Sequence, residues 1–79
     1  MSAVVDVAGE FLRENVDKSL LIKLRGGKII KGTLLKFDQY SNLLLKDSVE
    51  LVKDDDQPRR LGNTLIRGDS IIIITPNLQ

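Results

Sequence analysis

The sequence predicts a mainly β domain: an N-terminal helix followed by a small, strongly bent, five-stranded antiparallel barrel of the SH3-like or OB-like kind. Three observations predict it. Apolar residues recur at helical spacing only in the first 14 positions. Five short runs of strand-type residues follow, separated by turn signals. A glycine, Gly32, lies inside the second run, where a closing sheet must bend.

The helix covers about residues 4–14, with Val4, Val5, Ala8, Phe11 and Leu12 on one side and Asp6, Glu10, Arg13 and Glu14 on the other. Ser2 or Asp6 can cap its start and Asn15 can end it. Ser19 to Arg25 alternates Leu20, Ile22 and Leu24 against Leu21, Lys23 and Arg25, which makes the first strand, and Gly26-Gly27 supplies a tight hairpin turn. Ile29 to Phe37 is the second strand, and Asn42 to Val52 is the third, long enough to curve. Lys53 to Pro58 is a polar loop, with Pro58 barring continuation of the third strand. Leu61 to Ile66 and Ile71 to Thr75 are the last two strands, joined by Arg67-Gly68-Asp69-Ser70, and Pro76 ends the ladder.

At 79 residues the chain is one small domain, and with only three aromatics (Phe11, Phe37, Tyr40) its core must be aliphatic and thin. Domains of this size often draw added stability from disulfides, a metal or self-association. Cys and His are both absent. That removes disulfides and the usual zinc, haem and iron–sulfur ligands, and it suits a reducing, cytoplasmic compartment. Self-association is the remaining route. The Ile71-Ile72-Ile73-Ile74 strand is apolar on both faces and carries no charge to protect an edge, so another subunit is expected to cover it. No apolar run reaches membrane-spanning length, and no signal-type segment opens the chain.

Net charge is only +1, unevenly spread. Lys18, Lys23, Arg25, Lys28, Lys31 and Lys36 form a stretch without an acid, which is either a phosphate track or a solvated face. Asp54, Asp55 and Asp56 read as a solvated acidic loop rather than a metal site. Without His, Cys or a nucleophile-elbow serine, no catalytic residue and no cofactor are expected.

Two turns concentrate the chemistry, Asp38-Gln39-Tyr40-Ser41-Asn42 and Ile66-Arg67-Gly68-Asp69. Together they offer an aromatic face, an amide, a guanidinium and a carboxylate, the groups that hold a nucleobase by stacking and edge hydrogen bonds. Asp38 fits a structural role, accepting backbone N–H groups across its turn. Asp69 is expected to accept an Asn42 N–H and so fix the orientation of the amide.

Gly27, Gly32, Asp38 and Asn42, with apolar positions between them, resemble the first Sm motif (about residues 19–51), and Ile66-Arg67-Gly68-Asp69 resembles the core of the second (about 60–75), with a variable loop at 53–58. The chain is similar to Sm-like (LSm) proteins, most of all to compact archaeal members. The resemblance implies a single Sm-like domain over residues 1–79 and a homo-oligomeric ring, commonly of seven subunits, in which the fourth strand of one subunit pairs with the fifth of the next. Leu65, Ile66, Ile71, Ile72, Ile73 and Ile74 would then lie at the subunit interface. It further implies an RNA-binding role in RNA processing or metabolism, with uridine-rich single-stranded RNA at the inner rim. Tyr40 and Arg67 would sandwich the base, and Asn42, Gly68 and Asp69 would complete the site, with Asp38 and Gly32 as structural turn residues. Ser70 and Ser41 depart from the family pattern, which more often has Asn after Arg-Gly-Asp and a bulkier apolar residue before the motif Asn. An SH3-like ring that docks proteins without RNA is the alternative, and a non-specific DNA-binding barrel fits the small net charge less well.

Overall fold

In the computed structural model residues 5–78 are described, so Ser2 and Val4 of the expected helix lie outside the described residues. Helix α1 is Val7–Glu14, shorter at its start than expected, because Asp6 acts as its cap and accepts the Gly9 N–H at 2.9 Å. Asn15 closes it, with its amide donating to the Phe11 carbonyl at 2.8 Å. Leu12 is buried, whereas Val5 and Val7 are exposed, so the protomer uses only part of the helix's apolar side.

Five strands follow: β1 (Ser19–Leu24), β2 (Ile29–Phe37), β3 (Leu43–Leu51), β4 (Arg59–Ile66) and β5 (Ile71–Pro76). They form one sheet in the order β4-β3-β2-β1-β5, every neighbouring pair antiparallel. Alternation fixes the inward face of β1 and β2, where Leu20, Ile22, Ile30 and Leu34 are buried. β4 begins two residues before the expected Leu61, because the hairpin pairing continues through Val49↔Arg60 and Glu50↔Arg59. Pro76 is the last residue of β5 rather than the first beyond it.

Register shifts bend the sheet, at Lys31/Thr33 and Leu34/Lys36 of β2, around Ser48 of β3, and at Lys23/Leu24 where β5 meets β1. Gly32 sits at the tightest approach. A Cβ there would lie 3.0 Å from the Ser48 Cβ and 3.2 Å from the Leu45 Cβ, so a side chain would push β3 off β2. Ser48 is buried but satisfied, donating to the Gly62 carbonyl at 2.6 Å.

Leu12, Leu20, Ile22, Ile30, Leu34, Leu43, Leu45 and Ile66 form the core, with Phe11, Val16, Leu24, Phe37, Ile71 and Ile74 packed against it. Ile66 is only 6% exposed and belongs to the protomer's own core, so its side chain is not free for a neighbour. Ile71 and Ile74 also turn toward the core, whereas Ile72, Ile73 and Leu65 are at least half exposed. The β1–β5 register shift is the cause, since it places two consecutive residues, Ile72 and Ile73, outward. β4 and β5 are the two ends of the sheet, and neither has a second strand partner among the described residues. No helix among the described residues is long and apolar enough to cross a membrane.

Candidate functional site

The turn between β2 and β3 is organised by one carboxylate. Asp38 Oδ1 accepts the Tyr40 N–H at 2.9 Å and the Asn42 N–H at 3.0 Å, while Oδ2 accepts the Asn42 side-chain amide at 2.9 Å. The Asn42 side-chain amide contributes most to favouring the charged form and, with desolvation opposing it and the two backbone N–H groups adding to it, holds the Asp38 carboxyl below the ordinary carboxylate range. Ser41 takes a left-handed conformation (φ 60°), and its N–H bonds the Asp38 carbonyl at 3.0 Å. The turn therefore projects Tyr40 into solvent, 72% exposed.

Between β4 and β5 the chain makes a single 3-10 turn, Gly68–Ser70, closed by the Ser70 N–H on the Arg67 carbonyl at 3.0 Å. This turn presses on the first. The Gly68 N–H donates to Asn42 Oδ1 at 2.8 Å, and a Cβ on Gly68 would run into the Tyr40 carbonyl oxygen. Only glycine allows this approach. Arg67 Nη2 meets Asp69 Oδ2 at 2.9 Å, a solvent-exposed pair that orients the guanidinium more than it stabilises the fold.

Tyr40, Ser41, Asn42, Arg67, Gly68 and Asp69 thus line one shallow cavity of about 580 Å³. All five residues expected to form the site meet there. The expected contact between Asp69 and Asn42 is not made. Asp38 takes the Asn42 N–H instead, because it already sits inside the same turn, and the Asp69 carboxylate is engaged by Arg67. An amide nitrogen offers two N–H donors and its oxygen two lone pairs. With Asp38 and Gly68 bound, Asn42 keeps one of each for a ligand.

Sequence reasoning missed the role of Arg25. Its Nε donates to the Asp69 carbonyl at 2.9 Å and its N–H to the Ser70 carbonyl at 2.9 Å, so the β1–β2 hairpin braces the 3-10 turn. The only signal was its place at the end of the first strand, beside Gly26-Gly27.

The LSM domain model matches residues 10–76. The chain belongs to the LSM family. An Sm-like protein of Aeropyrum pernix is 48% identical over 61 residues, covering 77% of each chain. Among solved structures, the family's likeness extends to the P. aerophilum SmAP1 heptamer, 33% identical with a TM-score of 0.86 over 96% of this chain and 100% of that one. A Pyrococcus abyssii Sm protein in complex with a uridine heptamer is 28% identical, with a TM-score of 0.78 over 86% of this chain and 94% of the other. The helix followed by a bent five-stranded antiparallel sheet is the Sm fold of these proteins.

Proposed function

We propose that this LSM protein forms a homo-oligomeric ring, commonly of seven copies, and binds uridine-rich single-stranded RNA as a ribonucleoprotein component in RNA processing or metabolism, with no catalytic step. The observation that carries the reading is the Asn42 amide, held in one orientation inside the Tyr40–Arg67 cavity. Uracil presents an N–H donor beside a carbonyl acceptor, which the remaining lone pair and N–H of Asn42 complement; cytosine presents the reverse pair at the corresponding atoms. A freely turning amide would accept both bases. Here the Asp38 carboxylate can only accept and the Gly68 N–H can only donate, so the turned amide would set acceptor against acceptor and donor against donor.

The Tyr40 ring and the Arg67 guanidinium, both exposed on the same cavity, supply two planes for the base. The sheet's two ends support the ring, since β4 of one copy can pair with β5 of the next and bring Leu65 and Ile72 or Ile73 out of water. The heptamer and the uridine complex of the similar proteins agree with both parts. The test is binding to oligouridylate, oligocytidylate and oligoadenylate, with duplex DNA as control, on material whose ring mass is established by native mass spectrometry. Preference for uridine with a single ring mass is the expected result. Equal binding to all, or none, would sink the RNA reading and favour a protein-docking ring.

A further inference from the structure

Ser41 stands where three cavities meet: the base cavity, one between α1 and β5, and one beside Arg13 and Phe37. The cavity between α1 and β5 holds about 400 Å³ and is walled by Val7, Ala8, Phe11, Ile71, Ile72 and Ile74. Among the described residues it shares only Ser41 and Gly68 with the base cavity. A glycine has no side chain, and a serine has one oxygen beyond Cβ. The partition between an aliphatic cavity and the base site is therefore thin. Backbone geometry holds Ser41 there, since φ is 60° and its N–H bonds the Asp38 carbonyl at 3.0 Å. Bulky and β-branched residues seldom take that left-handed conformation.

The chemistry of the base says what meets this partition. A uracil read through its N3–H edge carries its ribose on N1 and a hydrogen on C5, and these two atoms lie on opposite flanks of the ring. The strand has to leave by the flank that opens to solvent, so C5 turns to the flank closed by protein. Ser41 and Gly68 belong to that wall, with the aliphatic cavity behind them. A methyl group on C5 would pass from water into contact with apolar side chains, and burying one such carbon raises affinity about fourfold. Val7 and Ile72, more than half exposed in the protomer, line the same cavity and would gain cover.

We propose that the base site accepts uridines with a small apolar group on C5, 5-methyluridine being the simplest, and that Ser41 is the residue that permits it. This rests on the RNA reading above and divides the recognition of the base between two neighbours. Asn42 reads the N3–H edge, and Ser41 sets what fits at C5.

The experiment compares oligouridylate with oligo-5-methyluridylate of the same length and the same ribose, and reads the ratio of the two affinities. Wild type should favour the methylated strand, by about fourfold for each methyl buried. Ser41→Met closes the partition from the base side and is unbranched at Cβ. Ala8→Leu fills the aliphatic cavity from the helix; Ala8 lines no part of the base cavity, so affinity for oligouridylate should stay at the wild-type value. Loss of the methyl advantage in either folded variant supports the proposal. A methylated base also stacks better on any ring, so an advantage that survives unchanged in both variants comes from stacking and overturns it. Wild-type preference for the unmethylated strand, the result expected if a neighbouring copy fills the cavity, overturns it as well. Tyr40→Ala keeps the two readings apart. If wild type binds oligouridylate, Tyr40→Ala does not, and the methylated strand is rejected, only the C5 assignment fails; if wild type binds neither strand, the RNA reading fails and takes this one with it.

Discussion

Replacing Gly68 with alanine asks whether the two turns must touch for the site to work. The φ of Gly68 lies outside the left-handed region, so alanine introduces crowding and no backbone strain. The crowding is severe, because the new Cβ would run into the Tyr40 carbonyl oxygen and lie 2.9 Å from the Ser41 carbonyl carbon and 3.0 Å from its oxygen. All of these are backbone atoms, so no flexible side chain can swing aside, and the turns must separate. Overpacking of this kind costs about 1–3 kcal/mol. Separation also breaks the 2.8 Å bond from the Gly68 N–H to Asn42, worth about 1 kcal/mol. The total of about 2–4 kcal/mol corresponds to an affinity loss of about 30-fold or more if it falls on the binding-competent conformation. Asn42 then loses the donor that fixes its oxygen, so preference for uridine over cytidine should narrow at the same time. Fluorescence anisotropy with labelled oligouridylate and oligocytidylate reads both effects, once native mass spectrometry has shown that the assembly persists. Wild-type affinity and preference in Gly68→Ala would refute the claim that contact between the turns organises the site.

Tyr40→Ala should lose about 1–3 kcal/mol per occupied pocket, while Tyr40→Phe retains most binding, because the ring face does the stacking; equal binding by Tyr40→Ala and wild type in the same assay would exclude the sandwich. Arg67→Lys should bind poorly, since an ammonium has no plane to stack, and titration with oligouridylate checks it. The Asp38 carboxyl titrates below its ordinary value of 3.8 in the folded protein, so its contribution is complete above that value and is lost as pH falls through the lower folded one. Uridine affinity, which depends on the carboxylate of the folded protein, should therefore stay level until the pH has fallen below that ordinary value and only then drop, and in Asp38→Asn the preference for uridine over cytidine should already be narrowed at neutral pH. Ile73→Lys places a charge on the exposed apolar side of β5, and native mass spectrometry should show monomer or aggregate in place of a ring.

The strands were legible because alternation along Leu20–Leu24 and Ile29–Phe37 says which residues are inward before any partner is known. Which of the isoleucines near the sheet's ends face outward was not legible. A register shift at Lys23/Leu24 changes which isoleucines of β5 face out, and nothing in a run of four isoleucines marks that shift. Burial of Ile66 itself follows from pairing with Leu43, a contact across 23 residues of chain. At the site, residue types and turns could be read directly, but the partner of the Asn42 amide could not. Two carboxylates were candidates, and the choice depends on distances: Asp38 lies in the same turn, already folded around its own Oδ1, while Asp69 is drawn away by Arg67. Arg25 was hidden more deeply, because its bond to Asp69 joins residues 44 positions apart.

A single copy of this pocket is a poor ligand site. Stacking contributes about 1–3 kcal/mol per base, whereas even a millimolar site requires about 4 kcal/mol of binding free energy. Asn42 adds two hydrogen bonds that replace bonds to water, and the cavity is open, so neither closes the gap by much. In the proposed ring, repetition closes it. Once one base of an oligouridylate is seated, the next pocket meets the following base at an effective concentration set by the short tether between them, and affinity rises without any new kind of contact. The exposed Tyr40, the shallow cavity and the two sheet ends without strand partners are inefficient in a lone domain and consistent with one another in a ring. By linkage, RNA that spans several pockets must also stabilise the assembly that presents them, so base recognition and subunit pairing act on the same equilibrium.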